Sequence, residues 1–183
     1  MIYESWPWRR DLLNDAAVLE RWLFKPVSER RSVIIEKKMF MGAFAMRKLL
    51  ESGKLSTATE ARGVEIDQFP SMKKVLKHQR WEIHNHYDLQ AGSKTTLPVR
   101  QLMNQMIHSF IFQEMNDDDV GSTSIVFTSD KTKDKRLMLI RVCAFVDLMR
   151  FIAMDNPTAT IWRLDPETGE RVEWRGHINT DNA

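Results

Sequence analysis

Arg100, Asn104 and His108 follow one another at intervals of four residues, the spacing that stacks side chains in a single row along a helix. Neighbours in such a row lie about 6 Å apart along the axis. Asn104 and His108 can therefore contact one chemical group together. Arg100 and His108 are about 12 Å apart and meet at one atom only through a bent arrangement or across a dimer. The residue types are chemically complementary. An imidazole changes charge near neutral pH and can move protons. A guanidinium fork holds a phosphate, and an amide can orient either. His108, Arg100 and Asn104 are the candidate catalytic residues.

The helix that must carry them is expected over residues 97–113. At about 100° per residue, Arg100, Gln101, Asn104, Gln105, His108 and Ser109 fall within one half of the wheel. Leu102, Met103, Met106, Ile107 and Phe110 fill the other half. The polar half holds neither acid nor lysine, whereas an ordinary solvated helix face mixes them. A seam of interhelical hydrogen bonds or a homodimer contact accounts for such a face, and so does a binding or catalytic surface. The stretch Arg100-Gln-Leu-Met-Asn104-Gln-Met-Ile-His108-Ser109 resembles the motif of the HEPN superfamily, small helical proteins with an Arg and a His on one helix. Many are metal-independent ribonucleases of defence and toxin systems, with sites formed where two such helices meet in a dimer. The resemblance spans about residues 28–113. It implies RNA as substrate with its 2′-hydroxyl as nucleophile, His108 as proton-transfer group, Arg100 as phosphate contact, Asn104 as orienting amide, no metal or cofactor, and a homodimer. The rival reading is a non-enzymatic interaction or accessory subunit that uses the same polar face for self-association or partner binding.

Other constellations are weaker. Lys131, Lys133, Lys135 and Arg136 cluster at one expected hairpin tip, relieved by Asp130 and Asp134. A basic tip can touch RNA phosphates, and a solvated loop has the same composition. His84, His86 and Asp88 alternate, so on a strand they would share a face and could offer three metal ligands. The basic residues around them oppose a cation, and exposed loop polarity is the plainer account. The single cysteine, Cys143, lies in an apolar run and is expected to be a buried small hydrophobe. The six tryptophans are dispersed, which suits anchoring rather than a stacking platform. There is no phosphate-cradling glycine loop, no Gly-x-Ser-x-Gly elbow and no cysteine pair, which argues against nucleotide-dependent phosphotransfer and serine or cysteine hydrolysis.

These residues are expected to sit in one α+β domain of 183 residues. A helical, HEPN-like bundle over 1–116 precedes a β-rich part over 122–176, a small antiparallel sheet with one short helix. Ser5-Trp6-Pro7 and Ser28 read as helix starts, Gly53 as a helix end. In the second helix, Val33, Ile34, Phe40, Ala43, Phe44 and Leu50 form the expected buried face. Residues 64–69 suit a short strand. Residues 124–129 and 136–142 form an expected hairpin, 144–154 a helix, and 159–164 with 171–175 a second hairpin in which Val172 and Trp174 meet Trp162 and Leu164. Residues 116–121 read as an acidic loop and 178–183 as a frayed tail. Hydrophobic residues make up 43% and charged residues 28%, with a net charge of +2. That balance excludes a disordered chain, and nucleic-acid binding would have to come from a local patch. No signal peptide or membrane span is read, and the cytoplasm is the expected compartment.

Overall fold

The apolar period of the first segment dictates where it packs. In the computed structural model, which describes residues 2–116 and 123–178, α1 (Trp6–Leu23) buries Leu12, Ala16, Leu19 and Leu23, with Arg9 in line with them. Pro7 lies in the first turn, but Ser5 makes no side-chain cap. Ser28 does cap α2 (Glu29–Glu51), its Oγ accepting the Arg31 N–H. Gly53, at a φ of 63°, ends that helix in the left-handed conformation glycine adopts without strain. The buried face of α2 is turned from the expected one. Ile35, Met39, Ala43, Met46, Leu49 and Leu50 are inside, whereas Val33 and Phe44 are exposed. Flexible methionines fill the irregular space between α2 and its neighbours.

After the short α3 (Thr57–Ala61) the chain enters the sheet with β1 (Gly63–Pro70). A 22-residue excursion over 71–92, containing a 3-10 turn (Lys77–Gln79) and the single turn α4 (Ile83–His86), leads to β2 (Ser93–Pro98). Then follow α5 (Val99–Ile107), β3 (Ser109–Asn116), β4 (Thr123–Ser129), β5 (Arg136–Arg141), α6 (Val142–Met154), β6 (Ala159–Leu164) and β7 (Arg171–Gly176). The α+β class stands, with helices at the N-terminal end and antiparallel sheets. The sheet is larger than expected. Five antiparallel strands lie in the order β2-β1-β5-β4-β3, and three of them come from the first 116 residues.

Alternation along the strands sorts their side chains to two faces. Ile66, Ile125, Phe127, Met138 and Ile140 pack with α1, α2, α5 and α6. Ile111, Val126 and Leu137 face the other way and are covered by Val75, Ile83 and Tyr87 of the excursion. The excursion is pinned to the β4–β5 turn: Tyr87 donates its hydroxyl to the Lys133 carbonyl at 2.7 Å, and Asp134 Oδ1 accepts the Val75 N–H at 2.9 Å. Burial, with the Asp134 charge as a second cause, raises the Tyr87 pKa, so the hydroxyl remains a donor.

The terminal hairpin forms its own two-stranded sheet. Its register opposes Trp162 to Glu173 and Ile161 to Trp174. Directly opposed residues share a face, so Val172 and Trp174 stand on the face opposite Trp162 and Leu164. The expected pairing was wrong by one residue, which transfers every side chain to the other side. Arg175 fastens the hairpin to the body through Glu60 at 2.8 Å, and its N–H reaches Thr57 Oγ1 at 2.9 Å. No helix of the described residues is long and apolar enough to cross a membrane. The expected acidic loop, beyond Asn116, and the tail, beyond Ile178, lie outside the described residues.

Candidate functional site

Val99, Leu102, Met103 and Met106 are buried in α5, and this seats the helix with its polar side outward. The helix is shorter than the expected 97–113. Leu97 and Pro98 belong to β2, and Ser109 to Gln113 belong to β3. The apolar residues Phe110, Ile111 and Phe112 satisfy a strand as well as a helix, and pairing with β4 decides for the strand. His108 is the residue at the switch. It is exposed, and its N–H still bonds the Asn104 carbonyl at 3.1 Å.

Asn104 and His108 line one open cleft of about 630 Å3. The floor and far side come from Arg47 of α2, and the lip comes from Ser129, Asp130 and Lys131 at the end of β4. Gln101 and Gln105 complete it. Arg100 is exposed and does not line this cleft. The guanidinium in the cleft belongs to Arg47, which the sequence placed only on the polar side of a neighbouring helix. Arg47 is held by Glu51, one turn on, at 2.6 Å. Among the described residues, Arg47 Nε and Asn104 Oδ1 are buried without a hydrogen-bond partner.

Gln105 is occupied by the structure. Its Oε1 accepts the Ser129 N–H at 3.2 Å and the Thr132 hydroxyl at 2.8 Å. This amide, on one side, and Tyr87 with Val75, on the other, hold the β4–β5 turn in place over α5. Replacing Gln105 with alanine leaves the Ser129 N–H with a poorer set of acceptors. The expected loss is about 1 kcal/mol of stability, with faster amide exchange at Ser129 in a hydrogen-exchange measurement. Unchanged protection there would refute the clamp.

The four basic residues of the turn divide. Lys131 is exposed at the lip of the cleft. Lys133 pairs with Asp130 and lies 4.2 Å from the centre of the Phe110 ring. Arg136 donates to Gln68 Oε1 at 2.9 Å. Lys135 is exposed and lines no part of the cleft. Of the expected RNA-contacting set, Lys131 alone is placed at the cleft.

The His84-x-His86-x-Asp88 run is not a strand. His84 and His86 share the turn α4, with His84 exposed and His86 buried. Asp88 Oδ1 accepts the N–H groups of Gln90 and Ala91. Among the described residues no group of three or more His, Cys, Asp or Glu side chains is placed to hold a metal ion. Cys143 is exposed in the first turn of α6, contrary to expectation, because Val142, Phe145 and Val146 take the buried positions of that turn.

No family model matches this chain, and neither a curated protein nor a solved structure shows significant similarity to it.

Proposed function

We infer that the cleft between α2, α5 and the β4–β5 turn binds RNA and that His108 transfers a proton there in a metal-independent cleavage. One observation carries this reading: His108 and Asn104 open into the same cleft as Arg47 and Lys131. The lining provides a titratable group, an amide and two cations, and its one carboxylate, Asp130, is already paired with Lys133. A phosphodiester meets both cations with its non-bridging oxygens. Arg47 takes the part first given to Arg100, so the HEPN-like chemistry is kept while its arginine comes from another helix.

The 2′-hydroxyl of RNA lies next to the scissile phosphorus. As the 2′-oxygen bonds to phosphorus, its proton passes to His108 and the bond to the 5′-oxygen breaks, that oxygen taking a proton from water. The products are a 2′,3′-cyclic phosphate and a 5′-hydroxyl. Asn104, one turn before His108, is placed to orient the imidazole or the phosphate.

The test is incubation of end-labelled RNAs of varied sequence with the protein in EDTA. Wild type is expected to give cyclic-phosphate ends. His108→Ala is expected to cut at least about 100-fold more slowly, with an unchanged melting temperature. Wild-type protein that neither cuts nor binds any of these RNAs would overturn the reading.

A further inference from the structure

Between β1 and β5 the hydrogen-bonded ladder is shorter than either strand. Pairing runs from Asp67–Leu139 to Pro70–Arg136 and stops. Yet β1 reaches back to Gly63 and β5 runs on to Arg141. Each stays anchored on its outer side: β1 pairs with β2 as far as Gly63, and β5 with β4 as far as Arg141. Two firmly held strands therefore diverge in the middle of a sheet. In an antiparallel strand, alternate residues direct N–H and C=O together toward the same neighbour. Segments 64–66 and 140–141 thus present backbone donors and acceptors to the gap.

The gap is a cavity of about 310 Å3, with one wall built by Ala144, Leu148 and Phe151 of α6. Four further charged side chains line it: Arg62, Arg141, Asp67 and Asp147. Among the described residues none of the four makes an ion pair. By contrast Lys94 and Glu65, at the same opening, pair with each other at 2.6 Å. The Arg62 guanidinium lies 4.1 Å from the centre of the Phe151 ring, a cation–π contact that sets it against the apolar wall. Two cations and two anions thus remain uncommitted around one small space. A ligand carrying one charge of each sign answers all of these features.

We propose that this wedge binds a zwitterionic ligand of dipeptide size, extended between β1 and β5. The peptide unit bonds the open strand edges, as in strand addition but inside the sheet. The carboxylate meets the Arg62 and Arg141 guanidinium groups, and the ammonium meets Asp67 and Asp147. An apolar side chain lies on Leu148 and Phe151. The cavity matches the low end of small-molecule sites in size. This site is separate from the RNA cleft and does not depend on it.

The test is amide NMR of the full chain titrated with a panel of free dipeptides, Ala-Xaa with every natural Xaa, up to about 5 mM, where millimolar binding still registers. At least one is expected to shift the amides of 64–66 and 140–141. N-acetylating or C-amidating that dipeptide is expected to weaken it by roughly tenfold or more, and so are Asp147→Asn and Arg141→Gln. Both residues are exposed, so the melting temperature should hold. Ala144→Leu fills the cavity and is expected to abolish the shifts. The proposal is overturned if no dipeptide perturbs these amides. It is also overturned if the blocked forms bind equally well, as a protein terminus with a single charge would, or if the charge variants bind like wild type.

Discussion

Replacing Arg9 with alanine is expected to cost about 3–5 kcal/mol of folding stability, among the larger effects of a single substitution. Arg9 is only 3% exposed although it begins on a surface helix. Its guanidinium donates to the carbonyls of Ile152 and Ala153, each at 3.2 Å, to that of Asp155, and to that of Lys54 at 2.5 Å. The last carbonyls of a helix have no partner within it. Arg9 supplies one for α6 and ties it to the loop after α2. Burial lowers the Arg9 pKa, an effect that the Asp155 charge opposes in part. Alanine would leave several buried carbonyls without a donor and open a cavity between α1 and α6. Arg9→Lys is expected to recover only part of the loss, because one ammonium cannot span both the Lys54 carbonyl and the end of α6. Urea unfolding midpoints at neutral pH measure both. A loss under about 1 kcal/mol for the alanine variant would show that the cap is dispensable.

The second large effect concerns Arg31, 2% exposed. It pairs with Glu114 of β3, donates to Thr123 Oγ1 of β4 at 2.6 Å and to the Trp22 carbonyl at 3.0 Å. One side chain so joins α1, α2 and two strands. Arg31→Met is expected to destabilise by about 3–5 kcal/mol, because it leaves the Glu114 carboxylate buried without its counter-charge. Arg31→Met with Glu114→Leu is expected to regain most of that, since a well-packed apolar pair avoids the desolvation cost of two buried ions. Denaturation of the single and double variants forms a double-mutant cycle. A double variant as weak as the Arg31→Met single would assign the loss to the Thr123 and Trp22 bonds.

Both arginines left a trace in the sequence. Arg9, Leu12, Ala16, Leu19 and Leu23 are spaced by three or four, and so are Arg31, Ile35 and Met39. Each arginine falls on the line of the apolar face. Residue type argued for solvent, and spacing argued for burial. Only the carbonyls of α6 and the carboxylate of Glu114, distant in sequence, decide between them. The same limit governs the cleft. Asn104 and His108 are one helical turn apart, a local relation that periodicity reveals. Arg47 joins them through the packing of α2 on α5, which no local pattern encodes. The end of α5 was misread because Phe110-Ile-Phe112 fits either period, and pairing across β4 selects the strand. Caps and turn residues made α2, the β4–β5 hairpin and the last hairpin legible. They did not fix the last hairpin's register, where both strands carry apolar residues at odd and even positions.

The order of the sheet sets the order in which the chain can finish folding. β1 and β2 can pair early, and so can β3 and β4, but β5 is the strand that lies between the two pairs. Until residue 141 has been made, β1 and β4 each keep an open edge, with apolar Ile66, Ile125 and Phe127 beside it. Unpaired edges of this kind recruit other chains. The contacts that close the sheet are also long-range, which slows folding. A nascent or truncated chain ending before β5 is thus two unsealed half-sheets, and the synthesis of six residues converts the most aggregation-prone stage of this protein into its most protected strand.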